Sequence, residues 1–391
     1  MNPKLFSLIL VMLGWLLPLQ GEDPPAFPRT HLFVSGEDGY HTYRIPSLMV
    51  TAEGTVLAFC EGRKNGRHDT GDIDMLVKRS EDGGETWSDA VVIWDEGENT
   101  CGNPCPVVIE ETGRILMHMN WNLGPETNKD LHSGTGKDTR RVFQTYSDDD
   151  GRTWSNAVEI TEVVKDPNWW WYASGPGVAI QLKQEPYRGR IVIPSNHTAE
   201  GYYYGAHTVY SDDGGESWQI SNVMAPTCNE SQIVELSDGR LMMNMRSQEY
   251  PDTDRPRNGY RSIAFSEDGG ATWSKPEFDK HLGDPVCQAS LIRYDEETLL
   301  YSHPDPPIQA KRGKRVRMTV RMSRDDGLTW PGRLLIDEGP SAYSCITRLP
   351  DGEVGLLYET DKGIELVRFP LSAVTEGSDE QRLVVSPGAG D

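Results

Sequence analysis

Arginine is the residue type whose placement suggests chemistry. Arg44 sits in the compact segment Tyr43-Arg44-Ile45-Pro46, Arg246 in Asn244-Met245-Arg246-Ser247, and Arg312, Arg315, Arg317 and Arg321 crowd one stretch. A guanidinium fork bonds carboxylate oxygens in pairs, so such residues suit an acidic ligand. The chain as a whole opposes one, because 60 acidic residues against 38 basic give a net charge of −22. An anionic ligand must therefore be drawn in by a local basic cluster, and the same balance argues against a nucleic-acid surface or a polybasic membrane patch. Other reactive side chains stand in short segments of their own: Asp69 in Arg67-His68-Asp69-Thr70-Gly71-Asp72, Glu230 in Asn229-Glu230-Ser231-Gln232, and Tyr343 in Pro340-Ser341-Ala342-Tyr343-Ser344. The six cysteines (Cys60, Cys101, Cys105, Cys228, Cys287 and Cys345) show no zinc-type spacing and no favoured pairing. No dedicated metal cluster or cofactor loop is evident, although an acidic turn could hold a structural calcium ion.

A repeat supplies the scaffold. The stretch Ser80-Glu81-Asp82-Gly83-Gly84-Glu85-Thr86-Trp87 recurs as Ser147-x-Asp149-x-Gly151-x-Thr153-Trp154, Ser211-x-Asp213-x-Gly215-x-Ser217-Trp218, Ser266-x-Asp268-x-Gly270-x-Thr272-Trp273 and Ser323-x-Asp325-x-Gly327-x-Thr329-Trp330. In each copy the Ser and Asp side chains can bond amides of a tight turn, the Gly supplies an angle other residues resist, and the Trp can pack on neighbouring strands. Short apolar runs such as Thr55–Cys60, Ile115–Met119, Leu241–Met245 and Val354–Tyr358 lie between turn signals and read as half-buried strands. No convincing amphipathic helix is present. A repeat near 60 residues gives about four strands per unit, and units of this kind stack radially into a propeller. The expectation is an all-β, six-bladed β-propeller with five Asp-boxes, the last blade lacking a box and closed by an N-terminal strand. Its domain spans 31–371, after a secretory signal at 1–21 and a lead-in at 22–30, and ahead of a polar tail at 372–391. Lys4 and the apolar run Leu5–Leu17 carry the signal reading.

The repeats together with Tyr43-Arg44-Ile45-Pro46 resemble the sialidases (neuraminidases, exo-α-sialidases) of glycoside hydrolase family 33, over nearly all of the mature chain. Asp-boxes alone also occur in receptors and other glycosidases, and the Tyr-Arg-Ile-Pro segment is the more specific part. The resemblance implies hydrolysis of terminal sialic acids, whose carboxylate is held by three arginines. These match Arg44, Arg246 and Arg315. On a strand Arg315, Arg317 and Arg321 share a face, so alternation does not choose among them; Arg315 is preferred because the family's third arginine stands eight residues before the box Ser. The resemblance makes Tyr343 the nucleophile and Glu230 its base. A carboxylate nucleophile would be repelled by the substrate's own carboxylate, whereas a neutral phenol is not but needs a base. Asp69 matches the acid, with Asp72 and Asp74 as competitors at the start of the next strand. Arg63 would contact the sugar away from its carboxylate, and Glu359 would pair with Arg44.

Two segments stay open. Trp169-Trp170-Trp171-Tyr172 suits either a sugar-facing rim or packing between sheets, and Asn120-Trp121-Asn122 could line a pocket for the sugar's acyl group. The implied substrates are sialylated glycoproteins, glycolipids or oligosaccharides, with no cofactor, no nucleic acid and no membrane span after signal removal, in a secreted or periplasmic monomer. Transfer to another acceptor, intramolecular transfer, and a non-catalytic sialoglycan-binding propeller are the rival readings. Asn196-His197-Thr198 and Asn229-Glu230-Ser231 match the N-glycosylation pattern. A glycan on Asn229 would adjoin the expected base, which favours a bacterial source.

Overall fold

The structure, a computed structural model, describes residues 27–200, 203–248, 259–307 and 313–376. The expected signal, Arg312 and the tail beyond 376 lie outside the described residues, as does the lead-in up to 26. The chain forms an all-β, propeller-like fold of antiparallel meanders. In several, the first strand is buried and the last is exposed. Thr42–Val50, Thr100–Val108 and Cys228–Glu235 are almost wholly covered, whereas Val158–Glu159 and Gln219–Ile220 face solvent.

The described residues form five sheets. The largest runs Thr42–Val50, Val56–Arg63, Ile73–Ser80, then Thr100–Val108, Ile115–Asn122, Arg141–Ser147 and Val158–Glu159, with Val91–Trp94 beside Ile73–Ser80. Within the ladder its two halves are joined by one parallel pair, Ile73 with Thr100. The next three sheets are led by Tyr172–Ser174, Cys228–Glu235 and Ser290–Arg293. The last contains Ser344–Arg348, Val354–Thr360 and Gly363–Phe369, and is completed by Arg29–Val34, which pairs antiparallel with Gly363–Phe369.

Apolar side chains from consecutive groups of strands interlock. Leu57, Phe59 and Val77 pack with Ile115 and Met117, Leu116 and Val142 with Ile191 and Ile193, and Val192 with Ile233 and Met243. Val234 and Met242 then meet Leu291 and Leu299, and Leu300 and Val320 meet Ile346 and Leu356. Leu357 and Leu366 return to Leu48 and Ala58, so the last group covers the first. Each such Val, Leu, Ile, Phe or Met side chain contributes about 1.5–3 kcal/mol on burial.

The five repeat turns share one geometry, and each Ser is the final residue of a strand. Its hydroxyl accepts the Gly N–H at 2.8–2.9 Å. The Asp carboxylate accepts the Thr or Ser amide at 2.7–2.9 Å. The glycines stand at φ between 76° and 93°, where a side chain would be strained. The tryptophans reach the preceding group of strands: Trp218 Nε1 donates to Gln144 at 2.9 Å and Trp273 Nε1 to Thr208 at 3.0 Å.

Among the described residues two short α-helices, α1 (Asn128–Ser133) and α2 (Thr161–Val164), and one 3-10 turn at Leu371–Ala373 depart from the purely β expectation. A capping box between Thr127 and Asp130 starts α1, and Gly134 in the left-handed region ends it. The six cysteines are all buried and free. Among the described residues no helix is long and apolar enough to cross a membrane.

Candidate active site

The buried first strands bring distant side chains to one place. Arg44 lies at the start of Thr42–Val50, which is bulged between Arg44 and Ser47, with Ile45 at φ 60°. A β-branched residue rarely adopts that angle, so other contacts must hold it there. Glu359 does this from Val354–Thr360. Its carboxylate accepts the Ile45 N–H at 2.8 Å and the Arg44 fork at 3.1 and 3.2 Å. The third Arg44 nitrogen, Nη1, donates to Asp69 at 3.0 Å.

Tyr343 lies just ahead of Ser344–Arg348 and is 6% exposed. Its carbonyl accepts the Glu359 N–H at 2.9 Å, tying this segment to the strand Val354–Thr360. Its hydroxyl donates to Glu230 Oε1 and accepts from Arg246 Nη1 at 3.1 Å, while the same Nη1 reaches Glu230 Oε2 at 2.7 Å. The guanidinium carbons of Arg44 and Arg315 stand 5.1 and 5.5 Å from the Tyr343 ring centre. Burial pushes the Tyr343 phenol well above its usual value and the Glu230 charge adds to this, against the pull of Arg246, Arg315 and Arg44. The resting phenol is therefore neutral.

Geometry separates the crowded arginines where strand alternation could not. Arg315 precedes Val316–Ser323; its Nη2 donates to the Val286 carbonyl at 2.7 Å and its own carbonyl accepts the Ser341 N–H. Arg317 adopts φ 66° at a bulge, which breaks the shared face, and it pairs with Glu338 at 3.2 Å. Arg321 is buried against Asp305 at 2.7 Å. Beside Arg44 and Arg315 the surface opens into a cleft of about 370 Å³, also lined by Arg67, Ser341, Ala342 and Glu359.

Asp69 stands in the loop after Val56–Arg63, with its side chain 48% exposed. One oxygen takes Nη1 of Arg44 at 3.0 Å and Nη1 of Arg63 at 2.8 Å, and the other takes Nδ2 of Asn128 at 3.1 Å. Partial burial disfavours its charge, but Arg63 and Arg44 outweigh that and hold its carboxyl down at about 2. Asp72 and Asp74 are turned to Lys64, 3.0 Å from each. Arg63 differs from the expected sugar contact. It is 2% exposed, its Nε and Nη2 bind Glu61 at 3.0 and 2.6 Å, and its Nη1 clamps the Arg67 and His68 carbonyls as well as Asp69. In this state it braces the Asp69 loop from below.

Two neighbours, Arg140 and Asn128, are not among the expected site residues. Arg140 is buried against the Trp171 ring, 5.0 Å away, and donates to Asn103. Burial pushes it down to about 10, against the pull of Glu61 and Asp69. Asn128 opens α1, and the Thr127-x-x-Asp130 capping pattern was the signal that could have placed it there. The tryptophan run is engaged in packing: Trp169 stacks on His197 at 3.6 Å and Trp171 on His132 at 4.7 Å. Asn120 accepts the Ser174 N–H at 2.9 Å, between strands. Asn196 and Asn229 are both buried, so a glycan on either would not fit this fold.

A family profile described as BNR repeat-like domain matches residues 54–356. The chain is 34% identical to a sialidase of Micromonospora viridifaciens, over 92% of this chain and 56% of that protein. It is 31% identical to an exo-alpha-sialidase of Aspergillus fumigatus, over 83% of this chain and 80% of that one. The chain belongs to the sialidase family. The solved structure of Hadza microbial sialidase Hz136 superposes with a TM-score of 0.77 at 32% identity, covering 87% of this chain and 68% of the other. Against the Micromonospora sialidase the chain spans little more than half the length.

Proposed function

We propose that this chain is a retaining exo-α-sialidase that removes terminal sialic acids from glycoconjugates through a tyrosyl-sialyl intermediate. The observation that carries this reading is the contact of Tyr343 with Glu230 and Arg246, with its ring flanked by Arg44 and Arg315. A phenol beside a carboxylate base, surrounded by cations, suits attack on an anomeric carbon that bears its own carboxylate. Arg44, Arg246 and Arg315 would grip that carboxylate, and Glu359 would fix the Arg44 fork.

In the first step Glu230 takes the phenol proton as the Tyr343 oxygen bonds to the anomeric carbon. The bond to the leaving oxygen breaks, and that oxygen receives a proton from Asp69. In the second step Asp69 takes a proton from water, the water oxygen bonds to the anomeric carbon, and Tyr343 leaves with the proton returned by Glu230. At rest Asp69 is ionised by its two arginines. A substrate carboxylate arriving at Arg44 would compete for Nη1 and set a second negative charge beside Asp69. Both effects raise its pKa towards that of an acid. Arg63 would act beneath the site, holding the loop that presents Asp69.

The scaffold reading that goes with this is a six-bladed propeller, with the eight-stranded sheet taken as two blades and five of the six blades bearing an Asp-box turn. A secreted or periplasmic monomer acting on sialylated glycoproteins, glycolipids or oligosaccharides completes the proposal. Turnover of a fluorogenic sialoside by the purified protein tests it, and a sample inert toward every sialic-type glycoside would reject it. Product analysis by NMR then separates hydrolysis with retention from transfer or release of an anhydro sugar.

A further inference from the structure

We propose that Asn128 is a positioning residue for Asp69, one that serves both of its protonation states. The inference rests on Asp69 being the acid of the proposed reaction. Asp69 presents two unlike oxygens. Oδ1 is crowded by Arg44 and Arg63, whereas Oδ2 has one side-chain partner, the amide of Asn128 at 3.1 Å. The two arginines favour the carboxylate, which is the wrong form for giving a proton. The freer oxygen, Oδ2, is the one that can carry that proton, so the group touching Oδ2 controls where it points.

A primary amide is suited to this because it is a donor on one side and an acceptor on the other. As placed, Nδ2 donates to the ionised Oδ2, while Oδ1 of Asn128 is buried with no hydrogen-bond partner. An unpartnered buried carbonyl is costly and is rare without a reason. Turning the amide over would exchange the two atoms. The carbonyl would then repel a carboxylate but accept the O–H of a carboxylic acid. Asn128 can therefore hold Oδ2 in place before and after the substrate releases Asp69 from Arg44, by a half-turn of one side chain.

The helix is built to hold it. Asn128 is the first residue of α1, whose start is fixed by Thr127 and Asp130 and whose end is fixed by Gly134. Leu131 is buried on the helix, and His132 stacks on Trp171. The caps do not involve the Asn128 side chain, so a substitution at 128 leaves the means of forming the turn intact.

The test compares leaving groups. A sugar alcohol needs a proton as the bond breaks, and a phenol such as 4-methylumbelliferone needs it far less. kcat/KM reports that first step. For Asn128→Leu we expect kcat/KM on 3′-sialyllactose to fall about tenfold or more, with the loss on the 4-methylumbelliferyl sialoside several-fold smaller. The inhibition constant of the non-cleaved 2,3-didehydro sialic acid should stay within about twofold, because arginine binding of the carboxylate does not use Asn128. Equal losses on the two substrates, no loss on sialyllactose, or a parallel loss of inhibitor binding would each overturn the assignment. Asn128→Ala serves as a second variant if the leucine disturbs the helix. A wild-type protein that turns over neither substrate would remove the sialidase reading itself, which is a separate result.

Discussion

The rim turns and the central site are built in opposite ways from similar side chains. In each repeat turn, Ser, Asp and a Thr or Ser satisfy one another within eight residues of chain, and the Asp is exposed or half-buried yet bonded through both oxygens, as with Asp213. In the centre the partners come from far apart, such as Arg44 with Glu359 and Tyr343 with Glu230, and several polar atoms, including Arg246 Nε, are buried without a partner. The turns spend their hydrogen bonds on shape. The centre keeps charged groups desolvated and incompletely bonded, and such groups can act on an arriving ligand.

If this contrast holds, substitutions in the centre should change turnover far more than stability, and those in the rim the reverse. Tyr343→Phe should give the largest effect: turnover of a sialoside falls at least about a hundredfold while the protein still binds the didehydro inhibitor. A Tyr343→Phe protein working at full rate would end the tyrosyl proposal. Glu359→Gln should come next. Loss of the charge that fixes the Arg44 fork is expected to lower kcat/KM about tenfold, mainly through KM.

Acid should act on both regions together, because the sheets hold buried histidines and α1 carries a half-buried one. Burial pushes His118, His197 and His303 down to about 3 and His132 to about 4. In the unfolded chain these groups titrate near about 6.5. Between those limits the unfolded state binds more protons, so stability should be intact above about pH 6.5 and fall as the pH drops towards 4, by about 1 kcal/mol per pH unit for each group. Thermal melting at pH 7 and pH 5 checks the sign. The smallest effect belongs to the rim. Ser211→Ala removes the hydroxyl that accepts the Gly215 N–H and should cost about 1 kcal/mol, a shift of a few degrees in Tm, with kcat unchanged. A Ser211→Ala protein with impaired catalysis would blur the division.

The same division explains what could be read from the sequence. A turn whose bonds run from residue i to i+4 leaves its whole logic in eight letters, and the strands around it follow from alternation. The centre is made by chain crossings that no local pattern records, so its residues were reached through resemblance. Even there, backbone detail intervened. The left-handed conformation of Arg317 breaks the alternation that would have put three arginines on one face. Arg63 carries the right residue type, but its fork is occupied beneath a loop. Arg140 shares no motif with the residues it approaches, and α1 is too short to show a periodic face.

The pairing of Arg29–Val34 with Gly363–Phe369 has one more implication. Arg44 is contributed by a strand that follows this clasp, and Tyr343 and Glu359 by the segments that precede it, so the proposed anion grip straddles the place where the first strand fastens the last sheet. In the proposed reading a sugar acid has no complete grip until these strands have paired, and because Arg44 and Glu359 stand 315 residues apart in sequence that pairing is expected to come late in folding. Once shut, a bound acid would act as a bolt across the join, raising the resistance of the whole ring to opening in proportion to the logarithm of its concentration.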